Sequence, residues 1–395
     1  MRGGVRSGLD VLAAGRFALL RGRRVGLVCN PTAVTRRLDH AADLLRAAPG
    51  VELALLLGPE HGVRGDAQYM AVVEGEPRDP RTGVPVASLY GDGVGSLRPP
   101  PALLAGLDAL VFDIQDVGVR YYTYQATMML CMEAAAEAGI AFVVLDRPNP
   151  LGGLRVEGPA LRPGFESFCG LHDLAVRHGL TVGELARLFR AERRLDLELT
   201  VVGCEGWRRE VRYRETGLPW VLPSPNMPTP ETALVYPGTC LLEGTNLSEG
   251  RGTTRPFELA GAPWLDGQAL CESLRRERLP GAAWRPASFV PTWDKHAGVR
   301  CHGVELSVAD PDRFQPFRAG LALVLHARRQ DQGRFAWRRE PYEFVRDIPA
   351  FDLLCGSDRE RHGIEAGATL SELGRAFAPE ERAFERRRRP FLIYP

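Results

Sequence analysis

Lysine is almost absent from this chain: Lys295 is the only one among 50 basic residues, and arginine supplies the rest. A bias that uniform reads as the coding habit of a GC-rich genome rather than as a functional signal. An excess of one charge is missing too. With 49 acidic residues the formal net charge is +1, so no global field points to nucleic acid or to an acidic membrane. No stretch approaches the roughly 20 apolar residues of a membrane span. The opening MRGGVRSGLDVLAAGRFALL has basic residues but no unbroken apolar core, and a cytoplasmic protein is expected. The eight cysteines contain no CxxC pair and mostly fall in apolar runs, as buried free thiols do.

Several motifs with a mechanism are also lacking. No GxGxxG follows the first apolar run, and no Walker A sequence, GxSxG elbow or HExxH helix occurs. Gly91, Gly93 and Gly95 form only a loose cluster that suits a turn. His61, His172, His178, His296 and His302 are too scattered to suggest a metal. No cofactor and no metal are expected.

What is present is ordinary globular usage, 45% hydrophobic and 25% charged over 395 residues, enough for two domains. Short apolar runs at 24–29, 52–57, 109–114, 141–146 and 197–202 read as buried strands. Helical patterns at 36–48, 122–138 and 181–193 lie between them, the last opening on a Thr181/Glu184 capping box. Alternation of this kind predicts an α/β fold with a parallel sheet. The stretch 58–101 is expected to be irregular. The proline-dense 219–237 is expected to hold no regular helix and to cross between a catalytic domain, 1–222, and a smaller α/β domain, 223–395. Beyond it, 265–278 and 364–377 read as helices, and 304–308 and 321–325 as helix or strand. The basic run Arg386–Arg389 reads as a solvated tail.

Ligands of open parallel sheets bind beyond the carboxyl ends of the strands. Asn30-Pro31-Thr32 follows the first strand and Gly58-Pro59-Glu60-His61-Gly62 the second. The third ends in Asp113, with Gln115, Asp116, Arg120, Tyr121 and Tyr122 behind it. The fourth ends in Asp146-Arg147-Pro148-Asn149, with Glu157 further on. Carboxylates dominate this edge and nucleophilic Ser or Cys do not. Two carboxyl groups whose pKa values are driven apart can serve as acid and base, the chemistry that cleaves glycosidic bonds. Tyr121, Tyr122 and Tyr124 fit either a sugar-stacking surface or helix packing. A second polar cluster, Glu243 to Phe257, could bring Glu243, Asn246, Glu249 and Arg251 to the cleft from the other half. Asp294-Lys295-His296 fits a substrate contact or a plain surface loop.

The segments VGLVCNPTAVT, GPEHGVRGDAQ, LVFDIQDVGVRYYTY, VVLDRPNPLGG, LPSPNMPTPETALVYPGTCLLEGTNLSEGRGTTRPFELAGAPW and LLCGSDRERHGI, in this order and spacing, resemble the DUF1343 or YbbC-like family, the exo-β-N-acetylmuramidases of the NamZ type. Cys29 is a departure, at a position where a small or β-branched residue is expected. The resemblance implies a Rossmann-like domain, a smaller α/β domain and a cleft between them. It implies release of terminal N-acetylmuramic acid from peptidoglycan fragments, with muropeptides or a MurNAc-GlcNAc disaccharide as substrates. Glu60 is then the first catalytic carboxylate, and Glu157, Asp116, Asp113 and Glu243 are candidates for its partner. Arg120, Arg147 and Arg251 are candidates to hold the lactyl carboxylate in a bidentate fork. Asn149 and Asn246 would read hydroxyl or acetamido groups, and His61, Tyr121 and Tyr122 would complete the site. Two other readings compete: a nucleotide-dependent transferase, which lacks its glycine turn, and a sugar-binding protein without activity, which would not need the carboxylates.

Overall fold

In the computed structural model the described residues are 4–60, 62–63, 78–91 and 93–395. Six parallel strands form the main sheet: β1 (Arg24–Cys29), β2 (Glu52–Gly58), β3 (Val86–Ser88), β4 (Ala109–Asp113), β5 (Ala141–Leu145) and β6 (Leu199–Val202). They run in the order β3-β2-β1-β4-β5-β6, the doubly wound order in which the topology reverses between β1 and β4. All five pairings are parallel. β1, β4 and β5 are buried almost throughout, which is why they read as continuous apolar runs. Their side chains alternate between two cores. Val25, Leu27, Val111 and Val143 join Leu9, Leu12, Ala42 and Leu45 from the helices Gly8–Ala14 and Ala41–Ala47. Val28, Phe112 and Phe142 face the helices Tyr124–Ala138 and Val182–Glu192, in a core that continues into the second half of the chain.

The second half carries a three-stranded antiparallel sheet, β7 (Leu259–Ala262), β8 (Ala282–Phe289) and β9 (Cys301–Val308), in the order β7-β9-β8. The helices Gly267–Arg276 and Pro316–Gln330 flank it. Among the described residues no helix is long and apolar enough to cross a membrane.

Local chemistry overrides the sequence pattern in five places, one being the helix expected over 364–377, which is interrupted at the left-handed Gly367 (φ 84°) between the helices Arg359–Glu365 and Leu370–Arg388. The helix expected from 36 begins only at Ala41, because the Thr35 hydroxyl accepts the backbone N–H of Arg37 and Asp39 and turns the chain, with Leu38 left-handed at φ 67°. β3 emerges inside the stretch expected to be irregular. The proline-dense segment contains a helix, Pro230–Thr239: Pro230 sits in the first turn, where a missing N–H costs nothing, and Pro237 lies in the last. Finally, Arg386–Arg389 is only in part the solvated face expected: Arg386 and Arg389 are exposed, whereas Arg387 and Arg388 are tied inward. The run closes the helix Leu370–Arg388, and the buried Arg388 guanidinium donates to the carbonyls of Gly153, Leu154, His178 and Gly179. Arg387 pairs with Asp173 and Glu192.

Two glycines set the approach of the helices Pro230–Thr239 and Pro316–Gln330. A Cβ on Gly320 would lie 2.0 Å from the Gly238 carbonyl oxygen, and one on Gly238 would lie 1.8 Å from that of Pro316. Alanine normally favours a helix over glycine. Here Gly320→Ala is expected to destabilise by about 1–3 kcal/mol, because the helices must separate to admit it. A thermal melt checks this, and an unchanged or raised midpoint contradicts it.

Candidate active site

The topological switch point is closed by side chains. Arg147 donates to both oxygens of Asp113, Nε to Oδ1 at 2.5 Å and Nη2 to Oδ2 at 3.0 Å, and also reaches the Val34 carbonyl at 3.1 Å. Both partners are buried. Burial pushes the Asp113 carboxyl up, and Arg147 opposes the shift. Beside them Asn30 accepts from the backbone N–H and hydroxyl of Thr32, while Thr32 accepts from the Gln115 backbone at 2.8 Å. The Pro223 carbonyl caps this layer, taking hydrogen bonds from Asn30 and the Tyr124 hydroxyl.

The cleft lies further along the same edge and is tight, with about 40 Å³ of open space between its side chains. Glu60 enters it from the carboxyl end of β2, where Pro59 limits the backbone, and accepts the Thr123 hydroxyl at 3.2 Å. The turn before the helix Tyr124–Ala138 lines one wall with Tyr121, Tyr122 and Tyr124. These rings pack edge to face: Tyr122 on Tyr124 with centroids 5.2 Å apart, and Tyr121 and Tyr122 on Tyr236 at 5.9 and 5.7 Å. Tyr236 meets Phe257 at 4.8 Å. The tyrosines therefore make a wall of the cleft and not only a helix contact.

Glu243, Arg251, Tyr342 and Glu343 complete the cleft from the second half. Arg251 donates to Glu243 at 2.7 Å and to Glu249 at 3.1 Å, and it lies 5.0 Å from the Phe257 ring centroid. The Tyr342 hydroxyl donates to Glu243 at 2.7 Å. Burial raises the Glu243 carboxyl, but Arg251, Tyr342 and Lys295 outweigh it and hold the group below the usual carboxylate range. The Lys295 ammonium reaches the carbonyls of Leu242 and Leu247 and the Glu249 carboxylate, all within 3.0 Å. All three of its donors are engaged in bracing this loop, so Asp294-Lys295-His296 supports the wall rather than waiting for a ligand.

Glu60, Tyr121, Tyr122, Glu243 and Arg251 thus converge. His61 lies outside the described residues. Arg120 does not line the cleft: its buried guanidinium donates to four carbonyls, those of Pro159, Leu174, Leu354 and Cys355, and ties the two halves together. That leaves no fork for a substrate carboxylate, and the Arg147 fork is filled by Asp113. Asn149 is bound to Leu180 and Leu151, and Asn246 to Arg334 and Ala336; both hold backbone rather than face the cleft. Asp116 accepts the Gly118 N–H at 2.6 Å and sits 3.6 Å from His178, also away from the cleft. Glu157 bonds the Arg318 backbone at 3.0 Å on the seam between the halves. Sequence reasoning passed over Tyr342 and Glu343. They lie in a loop far from any strand end of the main sheet, and nothing in PYEF signals a turn.

A buried cleft with several carboxyl groups, an aromatic wall and an arginine, at the carboxyl edge of a Rossmann-like sheet, defines a class: an α/β enzyme of the glycoside hydrolase kind. Family profiles narrow this further. Residues 25–231 match the N-terminal domain, and residues 234–394 the C-terminal domain, of the exo-β-N-acetylmuramidase NamZ. The chain belongs to that family. It is 46% identical over 392 residues, 99% of its length and 91% of the relative's, to the peptidoglycan β-N-acetylmuramidase NamZ of Bacillus subtilis. Two crystal structures of DUF1343 family proteins from Bacteroides fragilis share the fold. One is 34% identical with a TM-score of 0.91 over 100% of both chains, and the other 30% identical with a TM-score of 0.79 over 99% of both.

Glu157 offers a direct check on this geometry. Burial pushes its carboxyl up to about 7. A raised folded-state pKa stabilises the fold below the unfolded value and loses that stability as pH rises through about 7. Glu157→Gln is therefore expected to flatten the stability profile between pH 5 and 8, while turnover stays within about tenfold of wild type. A loss of turnover by several hundredfold, in a protein that melts normally, would return Glu157 to the reaction.

Proposed function

We infer that this protein hydrolyses the β-glycosidic bond of a terminal, non-reducing N-acetylmuramic acid in peptidoglycan fragments, with a MurNAc-GlcNAc disaccharide or a muropeptide as substrate. The observation that carries the reading is the meeting of Glu60, from the main sheet, with Glu243 and Glu343, from the other half, in one aromatic-walled cleft. Glycosidic cleavage needs one carboxyl group to protonate the leaving oxygen and one to meet the positive charge that develops at the ring. Glu60 takes one of these roles. It accepts the Thr123 hydroxyl and follows the carboxyl end of β2 by two residues.

The tyrosine wall gives a pyranose ring an apolar face to stack on. Arg251 lines the cleft, but its guanidinium is paired with Glu243 and Glu249, so the preference for a sugar bearing a lactyl carboxylate rests on family membership rather than on an open arginine fork. Membership of the NamZ family supports both the bond type and the sugar.

The test is hydrolysis of a chromogenic β-N-acetylmuraminide beside the matching β-N-acetylglucosaminide. Wild type is expected to release chromophore from the muraminide and far less from the glucosaminide. Glu60→Gln is expected to keep binding while turnover falls by about 10²–10⁴-fold. Muropeptide binding without turnover in wild type would instead favour a sugar-binding protein, and full activity in Glu60→Gln would remove Glu60 from the reaction.

A further inference from the structure

We propose that Glu343 is the proton donor of the cleft, a role that rests on the muramidase reading above. Glu343 and Phe344 occupy the two central positions of the turn Tyr342–Val345, which is closed by reciprocal backbone hydrogen bonds of 2.9 Å. Both are left-handed, at φ 44° and 68°. A two-residue turn of this hand favours Gly, Asn or Asp at its centre. Other residues there cost about 1–3 kcal/mol each and persist only where their surroundings enforce them. The Phe344 ring does so by packing against Tyr90 at 5.8 Å and Phe168 at 6.5 Å between centroids. The outcome of this strain is a carboxyl group directed into the cleft.

Its surroundings differ from those of Glu243. Glu243 has a guanidinium and a phenol within 2.7 Å, whereas the hydrogen bond Glu343 receives is a long one, 3.4 Å from the Tyr90 hydroxyl. A structural hydrogen bond that weak does not account for two strained residues and a buried acid. The groups facing Glu343 are Tyr90, Glu60, Glu243, Cys169 and Arg338, so two of its charged neighbours are carboxylates and one is a cation. Burial and those two carboxylates raise its pKa well above the ordinary glutamate value, and Tyr90 and Arg338 only partly oppose them. These surroundings favour the protonated acid of Glu343 over its anion more than in an ordinary glutamate. An N-acetylmuramyl substrate adds a further negative charge to the cleft and strengthens that preference.

In the reaction the electron pair of the C1–O bond moves on to the glycosidic oxygen. That oxygen takes the Glu343 proton and leaves as the hydroxyl of the departing sugar. The positive charge at C1 is met by Glu60, and water then supplies the oxygen that ends on C1 while its proton returns to the Glu343 carboxylate.

The test compares two leaving groups in wild type and Glu343→Gln. A nitrophenolate departs without a proton and a sugar alkoxide does not. With the MurNAc-GlcNAc disaccharide, Glu343→Gln is expected to lose about 10²–10⁴-fold in kcat/KM. With the nitrophenyl muraminide the loss should stay below about tenfold, and the basic limb of the pH profile should vanish. Equal losses on both substrates, an unimpaired disaccharide reaction or a retained basic limb would each overturn the proposal. Inactivity of wild type on both substrates would instead strike the muramidase reading itself. If Glu343→Gln does not fold, Tyr90→Phe serves. Removing that donor raises the Glu343 pKa, so the basic limb should move to higher pH, and an unmoved limb contradicts the role.

Discussion

The ion pair between Arg251 and Glu243 is the interaction on which the cleft depends. A carboxylate taken out of water costs several kcal/mol unless it is paired and hydrogen-bonded. Arg251, the Tyr342 hydroxyl and the nearby Lys295 satisfy Glu243, and Glu249 braces the other side of Arg251. With Arg251 committed there, Tyr90 and Arg338 are left to oppose the burial of Glu343 and do so only in part. The two carboxyls of the cleft are thereby driven apart, Glu243 toward the anion and Glu343 toward the acid. Such a division suits acid-assisted glycosidic cleavage; burial and the neighbouring carboxylates raise Glu343, while Arg251, Tyr342 and Lys295 lower Glu243.

Such a site needs a rigid frame, because its two sides come from distant parts of the chain. Arg120 reaches from the edge of the main sheet to the Leu354 and Cys355 carbonyls, and Arg388 returns from the last long helix to the carbonyls of 153, 154, 178 and 179. Gly238 and Gly320 bring two helices to backbone contact behind the cleft. Three arginines considered as ligand-binding or solvated, Arg120, Arg147 and Arg388, thus act as internal ties. In each case burial decides: the terminal guanidinium nitrogens of Arg120 and Arg388 donate to backbone carbonyls, and Arg147 donates to the Asp113 carboxylate.

Legibility in the sequence followed the range of the interactions. The apolar runs of β1, β2, β4, β5 and β6 and the Thr181 capping box depend on near neighbours and were readable residue by residue. So was the principle that the site lies at the carboxyl edge, which places Glu60. The turn at Thr35, the helix through Pro230 and the short β3 depend on single hydrogen bonds or on pairing with distant strands, and pattern alone did not reveal them. Glu157, Asp113 and Asn149 follow strands as Glu60 does; only the three-dimensional arrangement separates a group that faces the cleft from one buried in the seam. Glu343 was least legible, since its direction is set by backbone strain at residues that do not ordinarily adopt it.

The central claim is that the cleft adds water across the bond at C1 of a terminal N-acetylmuramic acid. It is tested most directly by digesting a MurNAc-GlcNAc disaccharide in water labelled with the heavy oxygen isotope and weighing both products. The account predicts label on the released N-acetylmuramic acid at C1 and none on the departing N-acetylglucosamine. Label on the departing sugar, or release of N-acetylmuramic acid that has taken up no water, would contradict it.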